Sequence, residues 1–206
     1  MKTIISALFL VTVTGCASMY EDRSMPAASA TPTIPRIDIN NVHDVKRSVT
    51  IKRDDFKKTT TYISPEIGHD GTSTFLRSWK NDKEADARYQ IYVTTVYDDE
   101  WRFYDTAYDS NGNRLDVVVI DRDVLKGGCS QYGCAHTEDV AFNVKKEYLE
   151  KNIQSGITFK LNGRTVKAEI IQSIPGSFIE GFLSAAAPVA TTTTAEIAPL
   201  EAKKAD

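Results

Sequence analysis

The chain has 206 residues and a formal net charge of -3, and 41% of its residues are hydrophobic. This composition is typical of a globular protein, and the length suits one folded domain with tails. Basic residues do not gather into the stripe that a phosphate backbone requires, so we expect no nucleic-acid partner.

The N-terminus has the pattern of a lipoprotein signal peptide. Lys2 supplies a positive charge, and the apolar run over residues 4–13 is too short to span a bilayer. The segment Val13-Thr14-Gly15-Cys16 that follows resembles the lipobox of bacterial lipoproteins. The resemblance implies cleavage before Cys16, lipidation of its thiol and acylation of the new amine, which together make a stable anchor. The alternative is an ordinary cleaved signal with an unmodified cysteine.

The residue after the cysteine bears on the compartment. In Gram-negative lipoproteins, an Asp at this position usually directs retention in the inner membrane, whereas this chain has Ala17. The resemblance therefore implies the outer membrane, on its periplasmic side, with the lipid anchor on Cys16 as the membrane contact.

Composition divides the chain into four predicted segments. Residues 1–15 form the signal peptide, and residues 16–44 hold the lipidated cysteine and a tether rich in Ala, Ser, Thr and Pro. Residues 45–184 form a single β-rich domain. Residues 185–206 are rich in Ala and Thr without apolar periodicity, which predicts a disordered tail.

Alternating apolar residues predict a succession of short strands in the domain. The predicted strands cover residues 45–51, 56–63, 72–79, 88–97, 100–108, 115–120, 138–144, 157–161 and 166–174. Asn111-Gly112 and Asn162-Gly163 predict tight hairpins. The aliphatic run over residues 115–120 predicts a central strand that is covered on both faces. Two short helices are expected, one capped by Asn143 and one opened by Pro175.

Because strands follow strands, the sheet should be mainly antiparallel. The expected fold is mainly β, an antiparallel β-sandwich or a strongly curved sheet with two short helices. A partly open barrel is the second choice.

Cys129 and Cys134 predict a disulfide. If Cys16 is lipidated, they are the only cysteine pair left, and an exported domain folds where disulfides form. The alternative is a metal site that adds His136 and Glu138, because alternate residues of a strand point the same way. The spacing differs from the Cys-x2-Cys of most zinc sites, so we expect no metal and no cofactor.

Catalysis has weak support in the sequence. His69, Asp70 and Ser73 contain the residue types of a hydrolytic triad, but residues so close together in one loop seldom reach triad geometry. The Gly-x-Ser-x-Gly motif of one large hydrolase class is missing. An envelope hydrolase that uses His69 and Asp70, or His136, is therefore the alternative function.

Two acidic segments also suggest sites, and both have simpler explanations. Residues 109–113 superficially suggest a calcium loop, but Gly112 is at the wrong position, and a hairpin turn is favoured. The cluster Asp98-Asp99-Glu100 could bind a cation, but a solvated turn is favoured.

Three tyrosines form the candidate binding face. If Trp101 and Phe103 face the core, then Tyr104 and Tyr108 face away from it, with Tyr92 beside them. An exposed aromatic patch of this kind would dock a peptide, a glycan or an envelope protein. The alternative is that a second layer covers the three tyrosines and makes them part of the core.

Several runs in the domain resemble uncharacterised envelope lipoproteins of proteobacteria. They are WRFYDTAYDSNGN (residues 101–113), IDRDV (120–124), EDVAF (138–142) and YL (148–149). The resemblance implies the compartment and carries no chemistry. We therefore expect a membrane-anchored envelope lipoprotein whose non-catalytic domain binds or scaffolds another envelope protein or a glycan.

Overall fold

The computed structural model describes residues 37–98, 100–131, 133–165 and 168–186. The predicted signal peptide, Cys16 and most of the predicted tether and tail lie outside these residues. No helix in the described ranges has the length and apolar character needed to cross a membrane.

The described residues form three short helices and ten strands. In chain order these are α1 (Val42–Ser48), β1 (Thr50–Asp54), β2 (Thr59–Ile63), β3 (Ile67–His69), β4 (Thr72–Asn81), β5 (Arg88–Tyr97), β6 (Thr106–Asp109), β7 (Arg114–Ser130), β8 (Gly133–Val144), α2 (Lys146–Lys151), β9 (Ile157–Asn162), β10 (Glu169–Ile174) and α3 (Gly176–Ala186).

The strands make one antiparallel sheet in the order β1-β2-β4-β5-β8-β7-β6-β9-β10, with β3 paired to β4. The strand β7 joins two halves of this sheet. It pairs with β8 along most of its length, but with β6 only through Arg114 and Leu115. The predicted mainly β, antiparallel fold is confirmed, with a third helix that the sequence did not indicate.

The core lies where the two halves and the helices meet. β5 and β8 contribute the fully buried Ile91, Val93 and Phe142. The ring of Phe142 meets the ring of Phe159 from β9 edge-on, with the ring centres 4.9 Å apart. Each large aromatic side chain buried in this way contributes a few kcal/mol to folding.

Helices α1 and α3 close the inward side of the sheet. Val45 of α1 and Phe178 and Phe182 of α3 are fully buried in the core. The two helices approach closely at Gly181, where a Cβ would come within 2.7 Å of the Val42 carbonyl oxygen. A glycine is required there because the backbones leave no room for a side chain.

The prediction of a strand over residues 45–51 is wrong in its first part, because residues 42–48 form α1. The Asn41 side chain accepts hydrogen bonds from the backbone N–H groups of His43 and Asp44, which caps the helix. The predicted domain boundary at residue 45 therefore falls inside this helix, and His43 belongs to the helix and not to a tether.

The run over residues 115–120 is not covered on both faces. Val119 is 42% exposed and Ile120 is 39% exposed. The pairing of β7 with β8 shifts between Val119 and Asp121, so the strand bulges at this point. The aliphatic run lies in β7 beyond Leu115, where β7 no longer pairs with β6, and its side chains are partly exposed to solvent.

The prediction that Asn143 caps a helix is wrong, because Asn143 lies in β8. Helix α2 begins at Lys146, its N-cap is Lys145, and no side chain makes the capping hydrogen bond. The amide of Asn143 instead contacts side chains on the neighbouring strands, which brings it into the site described next.

Candidate functional site

The outward face of the sheet carries a set of aromatic and polar side chains. In β4, Phe75, Arg77 and Trp79 alternate with the buried residues that face the core. In β5, Gln90 and Tyr92 lie directly opposite Arg77 and Phe75. None of these five residues belongs to the hydrophobic core cluster, so they form a separate structure on the other side of the sheet. We call these five residues the outward face.

Flat groups stack along the outward face. The rings of Phe75 and Tyr92 are stacked with their centres 4.6 Å apart. The guanidinium carbon of Arg77 lies 4.6 Å from the centre of the Tyr92 ring and 5.5 Å from the Trp79 ring. Contacts of this kind stabilise a cation by about 0.5–2 kcal/mol.

A chain of hydrogen bonds runs from Arg77 across four strands. Arg77 Nε donates to Gln90 Oε1 at 2.7 Å, and Gln90 Nε2 donates to Asn143 Oδ1 at 2.7 Å. Asn143 Nδ2 then donates to Asp116 Oδ2 at 2.8 Å. Each donor has one acceptor, so the four side chains are held in a single arrangement.

Arg77 has an unusual electrostatic environment. Among the described residues, no carboxylate lies within ion-pair distance of its guanidinium, and its Nη atoms have no hydrogen-bond acceptor. Burial lowers the pKa of Arg77 from its ordinary value, and the negative charge of Asp139 opposes that effect. An arginine remains charged under these conditions, so this site holds a cation that makes no ion pair with any described residue.

Tyr92 is held as a neutral hydrogen-bond donor. It is 8% exposed, and its hydroxyl donates to Asp139 Oδ2 at 2.9 Å. Burial, and then the hydrogen bond to Asp139, raises the pKa of Tyr92 to about 12. The tyrosine therefore keeps its proton and anchors the stack through the physiological pH range.

A cavity of about 640 Å³ opens at the end of the outward face. Trp79 and Gln90, with Asn143 and Val118, contribute to its lining. Lys145 and other charged residues stand around it. Cavities of about 300–1,000 Å³ with an apolar surface and a few fixed polar groups are typical of small-ligand sites.

A second polar cluster surrounds Glu138 on the inward face. Glu138 is fully buried. Its Oε1 accepts from the Tyr97 hydroxyl and from the Phe103 N–H at 2.8 Å. Its Oε2 accepts from the Tyr104 N–H at 3.0 Å and from Arg122 Nε at 2.7 Å. All of the acceptor capacity in the plane of this carboxylate is used within the protein.

The Glu138 cluster fixes a loop. Phe103 has a backbone φ of 52°, a left-handed conformation that costs energy in a residue with a side chain. The carboxylate of Glu138 binds the N–H groups of Phe103 and Tyr104 together, which holds this turn. Burial alone would raise the pKa of Glu138, but the hydrogen bonds from Tyr97, Arg122 and the two backbone N–H groups hold it below its ordinary value.

The predicted face of three tyrosines does not exist as one surface. The predicted strand over residues 100–108 is a loop up to Asp105, and only Thr106–Asp109 form β6. Tyr104 is fully buried, Tyr92 is 8% exposed on β5, and Tyr108 is 40% exposed on β6. The turn at Phe103 breaks the alternation on which the prediction relied.

Cys129 and Cys134 are joined in a disulfide, as predicted. They face one another at the tip of the β7–β8 hairpin. Their sulfurs are not free to ligate a metal, which overturns the alternative of a metal site with His136 and Glu138. Across the described residues, no group of three or more His, Cys, Asp or Glu side chains could hold a metal ion.

The residues of the alternative hydrolase lie in different settings. His69 Nδ1 is 2.8 Å from Asp70 Oδ2, and both side chains are mostly exposed. The Ser73 hydroxyl donates to Glu66 at 2.6 Å. His136 is 7% exposed, its ring centre is 4.2 Å from that of Trp101, and its Nδ1 has no partner among the described residues.

The two acidic segments behave differently. Asp109 Oδ1 accepts from the N–H groups of Asn111 and Asn113, each at 2.9 Å, so residues 109–113 form the favoured hairpin turn. In the second segment, Asp98 and Glu100 are exposed, and Asp99 lies outside the described residues.

Sequence reasoning missed Arg77 and Gln90 as members of a site. The alternation that places Phe75 and Trp79 together was visible, and it also places Arg77 between them. An arginine between two aromatic residues at a spacing of two was the signal that the sequence contained.

No protein-family model, no curated protein and no solved structure matches this chain, so its function has to be argued from its own residues.

Proposed function

We propose that this chain is a lipid-anchored envelope protein whose domain binds a partner, without catalysis, through the outward face and the adjoining cavity. The anchor is Cys16, on the periplasmic side of the outer membrane. The support for the anchor is the signal-peptide pattern that ends at Val13-Thr14-Gly15-Cys16.

One observation carries the binding proposal. The floor of the cavity is assembled from Trp79, Gln90 and Asn143 on three strands, and the hydrogen bonds of the two amides hold it in place. A surface whose side chains are already ordered loses little entropy when a ligand binds, which favours affinity. The domain thus offers a rigid recognition surface.

The arrangement favours binding over turnover for a chemical reason. A general acid or base needs a titratable group within hydrogen-bond reach of the reacting atom. The two amides that the hydrogen-bond chain fixes do not exchange protons near neutral pH. The carboxylates in the lining, Asp86 and Glu147, are held by no hydrogen bond among the described residues, so neither is positioned as a general acid or base. The indole ring and the two amides suit recognition through contact area and hydrogen bonds.

The anchor is tested by metabolic labelling. Cells that produce the full chain in the presence of labelled palmitate should incorporate the label, and the protein should fractionate with the outer membrane. A Cys16→Ala variant should lose both properties. An unlabelled wild-type chain would refute the anchor and leave the binding face to be tested separately.

The binding face is tested by photo-crosslinking in cells. A photoreactive residue at position 118, beside Trp79 in the cavity lining, should give adducts with envelope material. The same residue at position 171, an exposed site on β10, should not. Trp79→Ala should remove the adducts, and Phe56→Ala, which truncates a fully exposed aromatic residue elsewhere, should keep them. Adducts that survive Trp79→Ala would contradict the proposal.

A further inference from the structure

Arg77 differs from the two other partly buried arginines of the described residues in what its Nη atoms meet. Arg102 lies over the Tyr97 ring, and its Nη1 donates to the Tyr104 hydroxyl at 3.3 Å. The side chain of Arg122 is 25% exposed, and its Nε lies 2.7 Å from a Glu138 carboxylate oxygen. Arg77 is also partly buried, yet among the described residues its Nη atoms have no hydrogen-bond acceptor. Because donors that are partly removed from water are costly to leave without an acceptor, these Nη atoms point to an acceptor supplied from outside the chain, and a charged acceptor gives the strongest hydrogen bonds.

The nearby carboxylates do not accept from the Nη atoms, although the negative charge of Asp139 opposes the lowering of the pKa of Arg77 by burial. Asp139 accepts the hydroxyl of Tyr92, and Asp116 accepts the amide of Asn143. Neither forms an ion pair with Arg77. The closest chemical partners of the guanidinium are the Tyr92 ring and the Gln90 carbonyl, both uncharged.

The guanidinium is also oriented for recognition. Its carbon lies 4.6 Å from the centre of the Tyr92 ring and its Nε donates to Gln90, so the Nη atoms are the donors that remain for a ligand. A fixed guanidinium matches the geometry of a carboxylate or phosphate and can donate two parallel hydrogen bonds.

The neighbouring groups indicate what carries the negative charge. Strands β4, β5 and β8 are paired on both sides, so their backbones cannot accept an added peptide strand. Recognition has to use side chains: the ring of Trp79, the amides of Gln90 and Asn143, and the cation of Arg77. A sugar ring offers an apolar face for an indole ring and hydroxyl groups for amides.

We propose that the outward face binds an acidic saccharide, with the sugar ring against Trp79 and its carboxylate or phosphate on the Nη atoms of Arg77. This inference rests on the proposed function and names its ligand class. The cavity lining carries the cations of Arg88, Lys145 and Lys146 and the carboxylates of Asp86 and Glu147. Arg88 pairs with Glu84 and Lys146 with Glu150, so Lys145 is the cation of the lining that makes no ion pair among the described residues.

The test compares three sugars that differ in charge. The full chain is purified in detergent with Trp101→Phe, which leaves Trp79 as the only tryptophan of the two. The probes are N-acetylmuramic acid with a carboxylate, N-acetylglucosamine 6-phosphate with a phosphate, and neutral N-acetylglucosamine. Affinity is measured by tryptophan fluorescence and by ligand-observed NMR. At least one acidic sugar should bind about tenfold or more tightly than the neutral one, and which acid does so identifies the charged group.

Variants of Arg77 test the contact. Arg77→Gln should remove the preference for the acidic sugar. Arg77→Lys should keep part of it, since lysine keeps the positive charge but lacks the two parallel N–H donors of a guanidinium. Arg47→Gln on helix α1 makes the same charge change away from the face and should have no effect. Thermal unfolding of each variant verifies the fold, and the comparison of the three sugars on the protein that keeps Arg77 tests the preference without a substitution on the outward face.

Three outcomes would overturn the inference. Equal affinity for acidic and neutral sugars would remove the role of charge, and unchanged affinity in Arg77→Gln would remove the role of this residue. If no sugar binds while position 118 still crosslinks in a manner that depends on Trp79, the ligand is another class of molecule and the proposed function stands. If the crosslinks are also missing, the proposed function fails as well.

Discussion

Glu138→Gln should be among the most destabilising single-atom changes in this domain. The substitution preserves the shape of the side chain and replaces one carboxylate oxygen by an NH2 group. In the wild type, each oxygen accepts a backbone N–H, from Phe103 or from Tyr104. Whichever way the new amide turns, its NH2 faces a backbone N–H. One buried donor then loses its acceptor, and Arg122 loses its counter-charge.

The magnitude follows from the burial. Removing one partner of a buried ion pair costs about 3–5 kcal/mol, because the remaining charge and donors are left desolvated. Urea unfolding of the full chain should show this loss as a lower midpoint with an unchanged slope. Asp139→Asn is the matched control. Asp139 is the next residue, faces outward and accepts one hydroxyl, so its loss should cost about 1 kcal/mol.

The pH dependence gives an independent test of the same reasoning. The pKa of Glu138 is lowered in the folded protein, so its contribution is fully present above the pKa of an unfolded glutamate, about 4.3. That contribution is lost as the pH falls through the folded pKa. The stability difference between wild type and Glu138→Gln should therefore shrink below about pH 4.3. A difference under about 1 kcal/mol at neutral pH, or one independent of pH, would refute the account.

Three further predictions concern other parts of the fold. The pKa of Tyr92 is raised to about 12, so its stabilising effect should disappear as the pH rises from about 10 towards 12, and alkaline unfolding of Tyr92→Phe should lack this step. Gly181→Ala should destabilise by about 1–3 kcal/mol in urea unfolding, because its Cβ would meet the Val42 carbonyl. Replacing Cys129 and Cys134 by Ala should cost about 2 kcal/mol, with faster hydrogen exchange confined to the hairpin tip.

Strand alternation made most of the fold predictable. In β5, Tyr89, Ile91 and Val93 recur at every second residue, and the structure buries all three in the core, whereas Tyr92 lies outside the core cluster. The stripe of Phe178, Ile179 and Phe182 likewise marked the buried side of α3. Local periodicity carries this information because a half-buried element must repeat with its own geometry.

The errors arose where distant side chains override local pattern. Nothing in residues 100–108 shows that Phe103 turns left-handed, because the group that holds the turn is Glu138, which lies 35 residues away. The exposure of Val119 and Ile120 likewise depends on where β7 parts from β6, which is a property of the whole sheet. Propensity cannot include such partners before the topology is known.

The site was hard to predict for a related reason. Arg77, Gln90 and Asn143 come from three strands, and only the register of those strands makes them neighbours. In the sequence each is a single polar residue in a strand, which usually indicates a solvated face. The aromatic residues beside Arg77 were the only local sign of more.

If the outward face binds a ligand as proposed, strand β8 divides stability from recognition. Its inward residues, Glu138, Val140 and Phe142, are fully buried and hold the loop and the core. Its outward residues, Asp139 and Asn143, support the outward face through Tyr92 and Gln90. Because alternate residues of a strand face opposite sides, substitutions along β8 should alternate between those that lower the free energy of unfolding and those that weaken binding in a folded protein. Such a separation allows the recognition surface to change without loss of the fold.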